Sequence, residues 1–303
     1  MPDENQVVEQ KEYYVIEIVT SLECEDPLGA FIETNIEGLS GWVFDQKADE
    51  NITTCNIYFD LQPDIDSLKD MFKVFFAGLR DLGIETYPAQ VELKTYAQAD
   101  WTEVWKTKFR SFVVGKRLVI KPSWEEWLVK DDEVVIECDP GLAFGTGQHP
   151  TTRFCLEVLE RYADKYESVL DIGCGSGILC IAAAKLGAKD VYGFDIDQMA
   201  IDHAQKMVKK NMVESSVTIN QFDLKDLDPS RKYDIVLANL YAELLVEHGH
   251  IISQMVKAGG LLALTGILYT KSDMVRSTYE RLGMKIISSF SENEWFCFLA
   301  APQ

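Results

Sequence analysis

The sequence predicts two domains: a small α+β domain, followed by a larger α/β domain with a doubly wound, mostly parallel sheet. At 303 residues the chain is long for one hydrophobic core and long enough for two. Residues 13–96 show strand-like and helical segments in the order β-α-β-β-α-β. From Ser168 onward, strands and helices alternate regularly, which is the pattern of a doubly wound sheet.

The order of elements in the first domain is ferredoxin-like, and we place this domain at residues 1–96. Its second helix opens on acidic residues, keeps apolar residues on one face and ends at Gly83. Because this arrangement serves many functions, it predicts a compact module and no particular activity. The predicted strands are 13–20, 38–45, 53–60 and 89–96, and the predicted helices are 25–35 and 64–83.

Residues 97–112 are predicted to form a linking helix, because Trp101 and Trp105 lie at helical spacing. The second domain then covers 113–303. Its first strands, at 116–124 and 132–140, lead into the irregular stretch "DPGLAFGTGQHPTT" at 139–152. The rest is predicted as strands 168–173, 190–197, 216–223, 233–240 and 261–267, helices 152–163, 177–188, 198–212, 242–260 and 270–283, and a closing hairpin of 285–290 with 295–301.

The charge distribution bears on the kind of partner. The chain carries 49 acidic and 29 basic side chains, a net charge of −20. Through Asp100 there are 21 acidic and 6 basic side chains, a net of −15. Such a field attracts basic partners and repels phosphate backbones, although a merely solvated acidic surface would give the same balance. We therefore expect a basic protein partner and no direct contact with nucleic acid.

Composition also bears on the compartment. No apolar run reaches the roughly 18 residues of a membrane span, and the acidic start "MPDENQVVEQKEYY" is unlike a secretory signal. The seven cysteines are scattered without a C-x-x-C pair, which predicts free thiols in a reducing cytoplasm. No cysteine and histidine cluster has zinc spacing. We expect a cytoplasmic monomer without membrane contact and without a metal.

The stretch "VLDIGCGSGIL" carries the clearest chemistry. Gly173, Gly175 and Gly177 lie at a strand-to-helix turn, where a β-carbon would keep a ligand from the backbone and the helix N-terminus offers free N–H groups. The dinucleotide pattern G-x-G-x-x-G would need glycine in place of Ile178. The carboxylate of Asp171 would repel a pyrophosphate but suits a cationic ammonium group. S-adenosylmethionine has that group and carries no phosphate.

Three further polar residues lie at the ends of later strands. Asp195 lies 22 positions after Gly173 (195 − 173), where a carboxylate can accept hydrogen bonds from both ribose hydroxyls. Asp223 could reach the adenine amino group, although a plain loop acid explains it equally well. Asn239 ends the fourth strand, where its amide oxygen and the carbonyl of Leu240 can accept hydrogen bonds from a substrate amine. This placement predicts direct displacement at the sulfonium methyl, promoted by position and desolvation.

Together with "DPGLAFGTGQHPTT", "DWTEVWKTKF" and "IKPSW", these elements resemble the PrmA family of bacterial ribosomal-protein methyltransferases over essentially the whole chain. The resemblance implies a class I S-adenosylmethionine-dependent methyltransferase, with a Rossmann-like, seven-stranded sheet, behind a ferredoxin-like substrate-recognition domain. It implies methylation, often to the trimethyl state, of lysine ε-amines and the N-terminal α-amine of protein eleven of the large ribosomal subunit. The cofactor contacts that it implies are Thr152, Gly173, Asp195 and Asn239.

The stretch at 139–152 enters the second domain just ahead of the glycine turn, so we interpret it as a lid over the cofactor. Phe144 is expected to offer an apolar face near the reacting methyl, and Thr146 to contact the cofactor. Thr151 and Thr152 can cap the helix that follows. His149 could remove the proton that a lysine must lose before attack, but a lone loop histidine is more often structural, so the base is left open.

Other functions stay open at this point. The same chemistry could serve another basic protein or a small amine, and a non-catalytic module could bind the cofactor or chaperone a basic protein. A nucleic-acid methyltransferase is disfavoured by the net charge of −15 on the first 100 residues. The motif "NLYA" at 239–242 lacks the prolines of the N-P-P-Y motif of glutamine and adenine methyltransferases, which predicts a differently shaped acceptor pocket.

Overall fold

A computed structural model describes residues 12–36, 38–46, 51–59, 61–97, 110–139 and 147–303. The chain forms two compact units, Met1–Lys108 and Phe109–Gln303. The division between the units falls inside the predicted linking helix, 97–112. Because 98–109 lie outside the described residues, that helix and the predicted domain boundaries stay predictions.

The first unit is a four-stranded antiparallel sheet with two helices. Its strands lie in the order β2-β3-β1-β4, with β1 paired antiparallel to both β3 and β4. This order is the predicted ferredoxin-like arrangement. The elements are β1 (Glu12–Ser21), α1 (Glu25–Asn35), β2 (Leu39–Gln46), β3 (Ile52–Phe59), α2 (Ile65–Asp81) and β4 (Gln90–Ala97).

The apolar spacing of α2 explains its place in the first unit. Leu68, Phe72, Phe76 and Leu79 are buried, at spacings of three and four residues that put them on one face. The Asp64 side chain caps the helix by accepting a hydrogen bond from the backbone N–H of Ser67 at 3.2 Å. The exposed face of α2 carries Lys69, Asp70 and Lys73 together with Val74, which is 74% exposed.

The second unit contains a three-stranded sheet, β5-β6-β7, and a seven-stranded sheet in the order β10-β9-β8-β11-β12-β14-β13. The strands from β8 to β12 are parallel, and β14 is inserted antiparallel between β12 and β13. This order confirms the predicted fold class. The elements are β5 (Phe112–Val114), β6 (Leu118–Lys121), β7 (Val134–Glu137), α3 (Pro150–Tyr162), β8 (Ser168–Ile172), α4 (Ile178–Lys185), β9 (Asp190–Asp195), α5 (Gln198–Lys210), β10 (Val217–Gln221), β11 (Tyr233–Asn239), α6 (Ala242–Glu247), α7 (Gly249–Gln254), β12 (Val256–Leu268), α8 (Ser272–Arg281), β13 (Met284–Glu292) and β14 (Trp295–Pro302).

Two predicted helices have different bounds in the structure. The helix predicted over 242–260 is divided into α6 and α7, and β12 begins at Val256. The cause is tertiary: a β-carbon on Gly249 would lie 3.2 Å from Leu282 beside α8, so the chain turns where it meets that helix. The helix predicted to begin at Thr152 begins at Pro150, whose ring fixes φ for the first helical position.

Apolar clusters cover both faces of the seven-stranded sheet. One cluster contains residues of α3, α4 and α5, and the other contains residues of α6, α7 and α8. Because β8 lies between them, all five of its residues are buried, which explains its nearly continuous apolar sequence. Within the described ranges, no helix combines the length and apolar character that a membrane span requires.

Candidate active site

The carboxyl ends of three neighbouring strands lie in register at one edge of the seven-stranded sheet. Ile172 of β8 is paired with Phe194 of β9, and its row continues to Ala238 of β11. The residues that follow these three positions are all predicted site residues: Gly173, Asp195 and Asn239. Because neighbouring strands are about 4.8 Å apart, Asp195 and Asn239 flank the glycine turn at roughly 10 Å from each other.

The glycine turn leaves no room for β-carbons. Gly173, Gly175 and Gly177 have φ values of +71°, +49° and +76°, a region that favours glycine. A β-carbon on Gly173 would lie 2.8 Å from Cδ2 of Leu240, so this side chain packs directly over the turn. The backbone N–H groups of Gly173 and Cys174 both donate to the carbonyl of Phe194, at 2.9 Å each. These bonds hold the turn against β9.

Asp195 connects the glycine turn to the start of α5. Its Oδ2 accepts a hydrogen bond from the backbone N–H of Gly175, and its Oδ1 accepts one from the backbone N–H of Asp197, both at 3.0 Å. Each carboxylate oxygen can accept a second hydrogen bond. The carboxylate is therefore fixed in orientation and keeps capacity for two further donors, such as a pair of ribose hydroxyls.

Asp171 is a charged residue in the middle of the most buried strand. It is 0% exposed, and its Oδ1 has no hydrogen-bond partner among the described residues. Burial raises the pKa of its carboxyl to about 7; a hydrogen bond from the Cys180 thiol at 3.4 Å opposes the shift, and the charge of Asp195 adds to it. A buried acid with a vacant acceptor atom is costly unless a ligand supplies a donor.

The backbone after β11 is positioned by β12. The N–H of Leu240 donates to the carbonyl of Thr265 at 3.1 Å. A β-carbon on Gly266, whose φ is +81°, would lie 2.5 Å from the Leu240 carbonyl oxygen. The backbones of Leu240 and Gly266 are therefore so close that position 266 has no room for a β-carbon. Within the described part of the chain, the Asn239 side chain makes no hydrogen bond, so its amide remains available to a ligand.

Sequence reasoning did not single out Gly266. Its signal was nevertheless present, since a glycine inside the apolar run "LLALTGIL" indicates a bulge or a close backbone approach. The structure shows both: the pairing of β12 with β14 shifts register between Leu264 and Ile267. Gly266 is therefore part of the support for the predicted acceptor site.

The start of α3 contributes a second buried polar atom without a partner. Thr152 is 1% exposed, and its Oγ1 has no hydrogen-bond partner among the described residues. The N-cap residue is His149, so the prediction that Thr151 and Thr152 cap this helix is wrong. The ring Nδ1 of His149 lies 2.7 Å from the Thr151 hydroxyl. The freed hydroxyl of Thr152 is consistent with its predicted cofactor contact.

His149 is a poor candidate for the proton acceptor. Burial, together with the charge of the nearby Arg153, lowers the pKa of its ring to about 4. The ring packs edge-on against Trp295, with 4.8 Å between the centroids. A base with so low a pKa has little drive to take a proton near neutral pH. The contacts favour the structural role that the sequence left open.

The segments after β9 and β10 contribute an apolar side chain and an acid that is paired within its own loop. The carboxylate of Asp223 accepts a hydrogen bond from the Lys225 backbone at 3.0 Å and pairs with its ammonium at 2.7 Å, and these bonds lower the pKa of Asp223. The adenine contact of Asp223 stays a prediction. Ile196, directly after Asp195, is 68% exposed, and Phe222 donates its backbone N–H to the Asp195 carbonyl. The Ile196 side chain thus offers an apolar surface beside Asp195, the acid that is predicted to bind the ribose.

The predicted lid is described only at its end. Phe144 and Thr146 lie outside the described residues, so their predicted contacts stay predictions. Gly147 has a φ of +89°, and a β-carbon there would lie 3.1 Å from Ile178, the first residue of α4. The stretch therefore ends against the helix that follows the glycine turn.

These features fit a nucleoside cofactor that carries positive charge. Asp171 and Asp195 would repel a phosphate group but attract an ammonium and a sulfonium. The unpartnered Asp171 Oδ1 and Thr152 Oγ1 are acceptors that a bound cofactor can satisfy. S-adenosylmethionine meets both requirements, with a ribose for Asp195.

Comparisons with known proteins agree with this geometry. The profile of the family "Ribosomal protein L11 methyltransferase (PrmA)" matches residues 9–302. A ribosomal protein L11 methyltransferase of Clostridium botulinum (strain Alaska E43 / Type E3) is 34% identical, over 94% of this chain and 97% of that protein. One of Dictyoglomus turgidum is 36% identical, over 93% of each chain.

A solved structure extends the similarity to three dimensions. The crystal structure of the ribosomal protein L11 methylase from Lactobacillus delbrueckii subsp. bulgaricus has a TM-score of 0.59 and is 29% identical. It covers 64% of this chain and 100% of its own. With a family profile that spans nearly the whole sequence, this chain belongs to the ribosomal protein L11 methyltransferase (PrmA) family.

Proposed function

We propose that this enzyme transfers methyl groups from S-adenosylmethionine to amino groups of ribosomal protein L11, namely lysine ε-amines and the N-terminal α-amine. The full-length family match supports the substrate. The observation that carries the chemistry is the in-register row of Gly173, Asp195 and Asn239 beside the buried, unpartnered carboxyl of Asp171. No other described feature combines a glycine turn, a ribose-binding acid and an amine acceptor at one sheet edge.

Each residue of the row has a distinct task toward the cofactor. S-adenosylmethionine, when bound, supplies a methyl group on a sulfonium that is open to displacement. The carboxylate of Asp195, fixed by two backbone N–H groups, accepts hydrogen bonds from the ribose hydroxyls. Asp171 attracts the ammonium group, and the glycine turn lets the ligand lie on the backbone. Thr152 offers its vacant hydroxyl from α3.

The acceptor amine is positioned by Asn239 and Leu240. The amide oxygen of Asn239 and the carbonyl of Leu240 accept N–H groups of the neutral amine, which aims its lone pair at the methyl. The backbone of Leu240 is positioned by the hydrogen bond from its N–H to the Thr265 carbonyl and by the close approach of Gly266 to its carbonyl. After the first and the second transfer, the nitrogen must each time lose one proton to recover the lone pair that attacks the next methyl. We therefore expect products up to the trimethyl state.

The substrate approaches a partly apolar rim around Asn239. Tyr241 and Tyr269 are 57% and 63% exposed, and an ion pair between Glu243 and Lys271 joins the start of α6 to the segment after β12. Aromatic faces attract ammonium and methylammonium groups. This rim therefore suits a lysine side chain at any stage of methylation.

The first domain, 1–96, is proposed to recognise the substrate, with 97–112 as the link. Its net charge of −15 through Asp100 favours the approach of a basic ribosomal protein. A ribosomal substrate supports a cytoplasmic location for the enzyme, and we expect it to act as a monomer. Direct binding of nucleic acid is not expected from this charge.

The test is methyl transfer to purified ribosomal protein L11, with radioactive S-adenosylmethionine and mapping of the modified amines by mass spectrometry. The wild-type enzyme is expected to label lysines and the N-terminus. Asn239→Ala should keep cofactor binding within about tenfold and lose about 100-fold or more in transfer rate, because it removes a positioning contact to the amine. Asn220→Ala, at an exposed position of β10, is the matched control. Absence of label at every amine would refute the proposed function.

A further inference from the structure

One groove of the first unit has a charge opposite to that of its surroundings. It is lined by Lys69, Lys73, Phe76 and Arg80 of α2 and by the residues at and just before the start of β4, and it encloses about 210 Å³. The four α2 residues follow one another at spacings of four, three and four residues, so they form one stripe along the helix. Three positively charged side chains, those of Lys69, Lys73 and Arg80, therefore line the same groove.

Ion pairs with the described residues do not neutralise these cations. Lys69 and Lys73 are exposed, and neither forms an ion pair with any carboxylate among the described residues. Asp66 and Asp70 lie three residues before them on the same helix, a spacing at which ion pairs commonly form. Arg80 donates from Nη1 to the hydroxyl of Thr86 at 3.0 Å, which orients its guanidinium without cancelling its charge.

The distribution of charge makes this grouping informative. The first 100 residues contain 21 acidic and only 6 basic side chains, and three of those six line the groove. A random solvated surface would place its few cations beside its many acids. We propose that the groove binds a carboxylate of the protein substrate, and so fixes the register in which the acidic domain holds its basic partner; this inference rests on the proposed function.

The size of the groove favours a carboxylate on a protein over the phosphate of a nucleotide. Pockets for cofactors and drug-sized ligands enclose about 300–1,000 Å³, so a groove of about 210 Å³ accepts a side chain and not a nucleotide. Its floor, formed by Phe76, Ala89 and Val91, suits the methylene groups of an aspartate, a glutamate or a C-terminal residue. The flanking acids would also repel the successive phosphates of a nucleic acid.

The proposed role of the groove is to select one orientation of the bound substrate. A uniformly acidic surface would bind a basic protein in many orientations of similar energy. A single positive groove repels basic segments and accepts an acidic one, so that one orientation is favoured over the rest. That orientation decides which amines reach Asn239.

The test compares charge-neutralising variants in the methylation of purified ribosomal protein L11. Lys73→Gln and Lys69→Gln/Lys73→Gln should raise KM about 2- to 10-fold with kcat unchanged, which is the effect of losing one or two exposed ion pairs. Lys94→Gln is the matched control: it removes one positive charge from the same domain, but this lysine pairs with Glu17 at 2.7 Å. Thermal unfolding of each variant verifies that it is folded.

The sign of the change makes the test decisive. Every variant makes the domain more negative, so a general attraction between the domain and L11 would lower KM. An unchanged or lowered KM in the groove variants, or an equal rise in Lys94→Gln, would overturn the inference. So would wild-type binding of an RNA oligonucleotide at physiological salt that the groove variants lose, since the ligand would then be phosphate. If the wild-type enzyme does not label L11 at all, the proposed function is wrong. In that case L11 is also not the protein whose carboxylate binds in the groove.

Discussion

Gly266→Ala should damage methyl transfer without touching the substrate or the cofactor. A β-carbon at this position would lie 2.5 Å from the carbonyl oxygen of Leu240, 2.9 Å from its carbonyl carbon and 3.1 Å from its nitrogen. All three are backbone atoms, which cannot rotate away as a flexible side chain can. The proposed acceptor carbonyl must therefore move.

The displacement can be estimated from the contact distances. Ordinary contacts of a β-carbon begin at 3.4 Å, so the carbonyl oxygen must retreat by about 0.9 Å (3.4 − 2.5). A misplacement of about 1 Å in a reacting geometry reduces the rate about 100-fold. Because neighbouring groups can share the movement, we expect kcat/KM to fall about 10- to 100-fold. The positive φ of the new alanine costs about 1–2 kcal/mol of stability in addition.

Gly259→Ala separates the two effects. Gly259 lies on the same strand, β12, with a φ of +79°, and nothing lies within 4 Å of the position of its β-carbon. It incurs the same backbone strain without the collision, so both variants should lose a few degrees of Tm while only Gly266→Ala loses activity. The assays are steady-state methylation of L11 and thermal unfolding. Equal rates for the two variants would refute the assignment of Gly266 as support for the acceptor carbonyl.

Three further predictions concern titratable residues of the site. Asp195→Asn should weaken cofactor binding about 10- to 100-fold in calorimetry through the loss of charge-assisted hydrogen bonds, whereas Asp197→Asn, which preserves the cap of α5, should change it little; equal effects would contradict this. The Asp171 pKa, raised to about 7 from about 3.9 when unfolded, means that ligand-free stability falls as pH rises from about 4 through 7. Asp171→Asn should remove this part of the decrease in the free energy of unfolding, measured by urea titration at several pH values. An unaltered dependence of the free energy of unfolding on pH would argue against a raised pKa at Asp171. His149→Asn, which keeps an N-cap side chain, should leave the pH–rate profile between pH 6 and 9 unchanged, because the pKa of His149 is lowered to about 4; a lost ionisation step would instead identify His149 as the base.

Local patterns predicted the elements of this protein well because most of them carry their own signals. Helix α1 was predicted with the bounds that it has, 25–35, and α2 within two residues at each end. The division between α6 and α7 could not be predicted in the same way. It depends on the contact of Gly249 with α8, which lies more than twenty residues further along the chain.

The same contrast holds for the candidate site. Gly173, Asp195 and Asn239 lie at the carboxyl ends of predicted strands, so the parallel sheet itself brings them into one row. Thr152 and His149 needed the structure, because the position of a helix start decides which side chain caps and which is left vacant. The support of Leu240 by Gly266 depends on the pairing of β11 with β12 and on a shifted register in β12.

The two positions that break local rules lie in adjacent parts of one site. Asp171 is an acid within a fully buried strand, and its pKa shift of about 3 from the unfolded value corresponds to about 4 kcal/mol of penalty on the charged form. An apolar residue at position 171 would stabilise the ligand-free protein, whereas a side chain at position 266 would meet the Leu240 carbonyl oxygen at 2.5 Å and adopt an unfavourable positive φ. Neither replacement suits the proposed enzyme, which binds a cationic cofactor at Asp171 and uses the Leu240 carbonyl to position the substrate amine. If the cationic cofactor binds at Asp171 as we propose, it offsets this penalty, and binding energy and folding energy are coupled at this residue.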